Sequence, residues 1–490
     1  MSIPHLTSRL AVLAILTFAG LICIAYNLYL LTNTDITFGS RFSYFALGVV
    51  MIVLGPYIYQ LQKITSPDQQ SLPRISTIDD PNVVPQLNSE QLYILQQLFQ
   101  NDYRIRIRSL AGGFSNFGVF QVIREISEDR MIKPGVVVKF LSYRDIQKEK
   151  TVHQDGGVLK RYPLAFIPGE PIDNWPPDYK LGDTNRIGAI SYKLTALRLD
   201  SKLQTLKSMY KDSSADDFTS YLTLLFERLD RWYAFRLPQS EGISLGGPEG
   251  LYERLYRRRT DILRGIIQLI GTSSLSTTSV LSVDELDRSA TLQLPFLPDN
   301  WSENHFVNPN YWIKNVLVPN QAQYFRATSP LSPVHGDLHT GNVLIERGLD
   351  TNIWLIDFPN AHIGPSLQDF VTMEADIKFN LIDMNQCSIE EWFEFEHQLL
   401  VPLINRRSLT LTSPWSQDWK PKGELLKAWQ LIGFLREWVV EHNLIGADIR
   451  AYYLALLHAT LPTIYRATHT NAHKQYALTS SARICEYLTD

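Results

Sequence analysis

The apolar positions of this chain change their period twice. From Leu10 to Leu31 the sequence carries no charge, and after a short loop holding Asp35 and Arg41 a second uncharged run extends from Phe42 to Tyr59. Each run matches the roughly 20 residues that a helix needs to cross a bilayer core. Tyr26, Tyr29, Phe42, Tyr44, Tyr57 and Tyr59 stand near the ends of the runs, where amphipathic rings favour the interface. The plain alternatives are a buried helical hairpin and a cleaved signal peptide, but the latter has a shorter apolar region and leaves the second run unexplained. Residues 1–63 are therefore predicted to form a two-helix transmembrane hairpin, with membrane contact through residues 10–59. Arg9 before the first run and Lys63 after the second lean both ends toward the cytoplasm. The expectation is a multi-pass membrane protein whose main domain is cytoplasmic.

Residues 64–90 are rich in Pro, Ser, Asp and Gln, have no apolar period, and read as a linker. A short helix is predicted over Ser89–Asn101, where Leu92, Ile94, Leu95 and Leu98 recur at helical spacing. The period then becomes two. Tyr103, Ile105 and Ile107 alternate with three arginines, as a half-buried strand requires. Gly112-Gly-Phe-Ser-Asn-Phe-Gly118 interrupts the alternation, and strands follow at Val119–Ile126, Gly135–Leu141 and Ile187–Thr195, with a helix at Tyr143–Gln154 between the last two. Residues 91–200 thus form a small, strand-rich lobe.

From residue 201 onward helical spacing dominates. Phe218–Phe235 and Leu251–Ile270 carry apolar stripes, 271–330 looks like loops with short helices, and helices return at Asp369–Leu381, Glu390–Leu403, Glu424–Glu441, Ala447–Leu461 and Gln475–Leu488. A strand-rich part followed by a large helical part, residues 201–490, is a two-lobed α+β plan. Within it, 201–330 reads as an insertion and 333–370 as the stretch that holds the chemistry.

Composition excludes more than it identifies. A length of 490 residues is too great for one ordinary core. Hydrophobic content of 45% and charged content of 20% are globular values. A net charge of -4 gives no basic surface for nucleic acid. Cys23, Cys387 and Cys485 are too scattered for a zinc site or a disulfide framework.

The chemistry sits in two loops and a strand. Asp337 and Asn342 are five apart on a loop that opens after Pro333–Val334, and Trp354-Leu-Ile-Asp357-Phe reads as a short apolar strand ending in a carboxylate. That spacing follows a kinase catalytic loop, in which the Asp takes or orients a hydroxyl proton and the Asn binds magnesium. Asp357 can hold the same ion, which prefers hard oxygen ligands and shares them with phosphate.

Upstream, Gly113-x-Ser115-x-x-Gly118-x-Phe120 follows the spacing of a phosphate-covering glycine loop with Ser at its middle position, and Gly112 precedes it. Lys139 lies inside an otherwise apolar strand, where an unpartnered ammonium is costly. Tyr143–Gln154 supplies two carboxylates, of which Glu149, deeper in the helix, is the predicted partner; the plain alternative is a solvated face of Lys148, Glu149 and Lys150.

The stretch from His335 to Asn342, together with Leu355-Ile-Asp-Phe358, resembles the aminoglycoside phosphotransferase and choline kinase branch of the protein-kinase-like fold. The pairing of Gly112-Gly-Phe-Ser with His335-Gly-Asp-Leu-His also resembles bacterial proteins that carry a ternary complex-associated, kinase-like domain. The resemblance covers roughly residues 96–380 and is specific only at the loops.

It implies Lys139 on the phosphates, Asp337 as catalytic base, Asn342 and Asp357 as magnesium ligands, His335 orienting the loop, and Asp369 bracing its backbone. It further implies ATP or another NTP with Mg2+, and transfer of the γ-phosphoryl group to a hydroxyl of a small molecule or lipid headgroup. Pro359 stands where protein kinases have Gly, and no A-P-E segment follows, which argues against a protein kinase. A non-catalytic nucleotide-binding module is the reading from another class.

Overall fold

The computed structural model describes residues 72–79, 86–110, 118–127, 132–154, 187–193, 203–235, 259–273, 283–297, 305–320, 330–347, 351–405, 408–411, 420–446 and 448–489. The chain divides into two compact units, Met1–Pro73 and Arg74–Asp490, and the second is a mixed α+β structure.

Alternation builds its sheet. Strands β1 (Arg74–Thr77), β2 (Arg104–Ser109), β3 (Val119–Glu125), β4 (Ile132–Ser142) and β5 (Ile187–Lys193) lie in that order, β1 parallel to β2 and the others antiparallel. One face, with Ile105, Ile107, Val136, Val138 and Phe140, packs on helix α1 (Ser89–Leu98). Asn88 and Gln91 close a reciprocal capping box at the start of α1, which fixes its first turn. The other face carries Val137, Leu141, Ile190 and Tyr192 toward Trp354 and Ile356. Helix α2 (Tyr143–Gln154) follows β4 directly.

β1 lies inside the stretch read as a linker. Its Ile75 and Thr77 suit an edge strand, and Ile75 packs against the sheet core, but four residues among Pro, Ser and Asp are too few to show a period.

The helical part has its own core. β6 (Leu203–Thr205) pairs with a hairpin described below, and α3 (Ala215–Tyr233), capped by Ser214, buries Leu222, Leu225, Phe226 and Leu229. Then come α4 (Arg259–Ser273), β7 (Leu331–Val334), β8 (Val343–Glu346), β9 (Asn352–Leu355) and β10 (His362–Pro365). Strands β9, β8 and β6 form one small sheet, and β10 pairs with β7. Helices α5 (Leu367–Asp376), α6 (Ile389–Ile404), α7 (Gly423–Glu441), α8 (Arg450–Tyr465) and α9 (Asn471–Thr489) complete the lobe.

A fully buried charged network ties this lobe together. Glu374 on α5 binds Arg436 on α7 at 2.6 and 3.0 Å and accepts from the Tyr452 hydroxyl on α8 at 2.5 Å. Arg436 also donates to the Leu399 carbonyl on α6 at 2.8 Å. Burial pushes the Glu374 carboxyl upward, yet Arg436, Lys378 and the hydroxyl together hold it below the usual carboxylate range.

The hairpin predicted to cross a membrane over residues 10–59 lies outside the described residues. Among the described residues no helix is long and apolar enough to cross one. Even α7, with 19 residues, carries Glu424, Lys427, Arg436, Glu437 and Glu441 along its length. The expected multi-pass membrane location finds no support among the described residues.

Removing one partner of a buried ion pair strands the other charge. Arg436→Met is expected to lower unfolding free energy by roughly 3–5 kcal/mol, read from urea denaturation, whereas Arg436→Met combined with Glu374→Leu should lose less than the single variant.

Candidate active site

Strand periodicity aims Lys139. It lies between Val137 and Leu141, so it shares their face of β4 and points toward the Trp354–Ile356 side of the molecule. Its strand partners are Val119 on β3 and Ile190 on β5, and the Phe140 N–H donates to the Gly118 carbonyl at 3.1 Å. The residue that ends the glycine loop is thereby pinned beside the lysine. Gly118 itself has φ +88°. Gly112, Gly113 and Ser115 lie outside the described residues.

The ammonium of Lys139 meets Asp357 at 2.5 Å. Glu149, the carboxylate predicted for that role, is fully buried but takes other donors, the Tyr192 hydroxyl and the Phe358 N–H, the latter at 3.3 Å. Its second oxygen, Oε2, has no hydrogen-bond partner. Burial pushes the Glu149 carboxyl up, opposed by the charge of Lys139 and reinforced by that of Asp357. One ammonium therefore stands near two carboxylates and pairs with the less buried one. Asp357 sits at φ +74°, in the left-handed region that few non-glycine residues enter, directly after Ile356, whose N–H donates to the Asn342 carbonyl at 3.1 Å.

The loop from His335 to Asn342 is held at both ends by one helix. Asp369 in the first turn of α5 accepts from the His335 N–H at 2.8 Å and the Gly336 N–H at 2.9 Å, and the Tyr233 hydroxyl from α3 donates to it at 3.1 Å. Asp376, seven residues on, accepts from the Thr340 N–H at 2.8 Å and its hydroxyl at 2.5 Å. Burial pushes the Asp369 carboxyl up while these donors pull it down.

His335 is buried, its ring 4.9 Å from that of Phe358 and its Nε2 3.0 Å from the Ile356 carbonyl; burial lowers its pKa and keeps the imidazole neutral. Asn342 donates its amide to the Asp337 carbonyl at 2.9 Å, which leaves Oδ1 as an available oxygen ligand.

Gly336 explains one departure from the protein-kinase motif. At φ +79° a Cβ here would lie 2.2 Å from the Asn360 carbonyl oxygen, so the arginine of an H-R-D loop has no room.

Lys139, Asp337, Asn342 and Asp357 line one cavity of about 270 Å³. Val119 and Ile356 supply apolar surface, and His339 and Gly341 come from the loop. His339 is oriented by its Nδ1, which accepts from the Gly341 N–H at 3.1 Å. The remaining wall, Arg466-Ala-Thr468, comes from the connection between α8 and α9 and was invisible to motif reading. Asp376 and Tyr233 were also missed, although the seven-residue spacing of Asp369 and Asp376 places both on one helix face.

The donor chemistry fits magnesium. Asp357 and Asn342 offer hard oxygens on one cavity, few enough that phosphate oxygens must complete the shell. Among the described residues no group of three or more His, Cys, Asp or Glu could hold a metal alone.

Gly336→Ala is expected to destabilise the protein by more than the roughly 1–2 kcal/mol of left-handed strain alone. Gly423→Ala provides the comparison, since Gly423 has φ +50° but nothing within 4 Å of where its Cβ would stand. Equal shifts in unfolding midpoint for the two variants would count against the Asn360 contact as the constraint.

Among known families, the ternary complex associated domain 9 matches residues 276–464, under half of the chain. The match spans the loop from His335 to Asn342 and the α5 helix but includes neither Lys139 nor Arg466. No curated protein matches. Among solved structures, an ethanolamine kinase of Plasmodium vivax aligns at 12% identity over 82% of this chain and 90% of that chain, with a TM-score of 0.37. At that score the likeness is too weak to assign fold or activity.

Proposed function

We propose that this chain is a phosphotransferase that moves the γ-phosphoryl group of ATP to a hydroxyl of a small molecule. The observation that carries the reading is the convergence of Lys139, Asp337, Asn342 and Asp357 on one cavity from three separate parts of the chain.

In this reading Lys139 neutralises phosphate charge, having been held at the site by Asp357 in the absence of nucleotide. Asp357 and Asn342 would hold magnesium. When bound, that ion neutralises charge on the phosphates and fixes their orientation. Asp337 accepts the acceptor's hydroxyl proton as the acceptor oxygen forms its bond to the γ-phosphorus. The bond from that phosphorus to the β,γ-bridging oxygen breaks, the electron pair leaves on ADP, and the proton passes from Asp337 to solvent.

Little else is asked of the protein beyond placement. Asp369 and Asp376 supply it by fixing both ends of the loop that bears Asp337. His335, buried and neutral, contributes to the same positioning through the Ile356 carbonyl.

Asp337→Ala is expected to reduce ATP turnover by about 10²–10⁴-fold, the usual contribution of a positioned base, while nucleotide affinity stays close to that of the unaltered chain. Retained turnover with lost affinity would reverse the assignment. For Asp357→Ala, calorimetry should show that magnesium no longer raises nucleotide affinity. Magnesium-dependent binding without any Asp337-dependent turnover would leave a non-catalytic nucleotide-binding module in place of an enzyme.

A further inference from the structure

One charged group on the cavity has no part assigned to it in the phosphotransfer reading. Arg466 lines the same cavity as Asp337, from the connection between α8 and α9. Its backbone is fixed: the Arg466 N–H donates to the Pro462 carbonyl at 3.2 Å, and its own carbonyl accepts from the His469 N–H at 3.3 Å. Its side chain is exposed, and among the described residues no carboxylate pairs with it.

The other charges on the cavity are accounted for. Lys139 and Asp357 balance each other, Asp337 is reserved for the acceptor hydroxyl, and Arg466 is left over. Its surroundings are positive as well. Burial lowers the pKa of His469 to about 4, and the charges of Arg466, Lys207 and Lys474 act in the same direction, so the imidazole remains neutral within a cationic neighbourhood.

A guanidinium on the same cavity, with no carboxylate paired to it among the described residues, repels a cationic acceptor and offers a planar fork to a carboxylate or phosphate. We propose that Arg466 is a specificity-determining residue, and that the acceptor is a hydroxyl compound bearing an anionic group. The anion lies against Arg466 and the hydroxyl against Asp337. This rests on the phosphotransferase reading and names its substrate class.

The test uses the full chain and four small probes: glycerol 3-phosphate, glycerate, glycerol and ethanolamine. Each is titrated by calorimetry with and without a non-hydrolysable ATP analogue and magnesium. At least one anionic probe is expected to bind about tenfold more tightly than glycerol, the effect of one charge-assisted hydrogen bond, with ethanolamine weaker still. Which anionic probe wins separates phosphate from carboxylate recognition. Arg466→Gln should erase the preference, Arg466→Lys should retain part of it, and neither should change nucleotide affinity. Because the side chain is exposed, both variants are expected to melt with the unaltered chain.

Four results would overturn the proposal: equal or tighter binding of ethanolamine or glycerol, no binding of any probe, a preference that survives Arg466→Gln, or a loss of nucleotide affinity in that variant. Asp337-dependent ATP turnover, measured on the same protein, is scored separately. Turnover without anion preference removes this proposal alone; anion preference without turnover removes the phosphotransferase reading and with it the acceptor assignment, and leaves Arg466 as an anion-binding residue.

Discussion

Three buried carboxylates on a single short helix govern where everything else in the site can be. Asp369 and Asp376 are seven residues apart, which is two turns and roughly 10 Å along an α-helix, and both face the loop that carries Asp337. They accept backbone N–H groups at either end of that loop. Glu374, on a different side of the helix, engages Arg436 and Tyr452 in the lobe interior. The helix is therefore anchored by one ion pair and anchors a loop by two others of its acids. A loop of this kind has backbone donors that need partners once water is excluded, and a helix rich in acids is an economical source of them.

Around this clamp the sheet contributes one charge. Lys139 enters an apolar layer because the two-residue period of β4 leaves it between Val137 and Leu141, and burial there is tolerable because Asp357 lies 2.5 Å away. The positive φ of Asp357 is the local strain that brings the carboxylate to that position. The two lobes thus meet at a charge pair whose members come from residues far apart in sequence.

Much of this was legible in the residues. The alternation of Tyr103, Ile105 and Ile107 located a strand, the single lysine in Gly135–Leu141 marked itself by being out of place, and the spacing of Asp337 and Asn342 carried chemistry that few other patterns share. What could not be read was juxtaposition. Glu149 and Asp357 were both reasonable partners for Lys139, and only packing, with Tyr192 and the Phe358 N–H occupying Glu149, separates them. Arg466 has no local pattern at all, because it joins the cavity from a connection 129 positions beyond Asp337 in the chain. The strand at Arg74–Thr77 was hidden by the composition of its neighbours. The apolar runs before residue 63 show the opposite risk, since a strong composition signal led to a location that the described helices do not support.

The clamp also has a dynamic meaning. Loops that bear catalytic groups are commonly among the least protected parts of a structure, opening without disturbing the elements that flank them. Here the amides of His335, Gly336 and Thr340 are locked to carboxylates whose helix is itself fixed in the lobe interior through Glu374 and Arg436. Opening the loop breaks these bonds against a fixed helix, so its amides are expected to exchange with the cooperative core and not with the breathing surface of the protein.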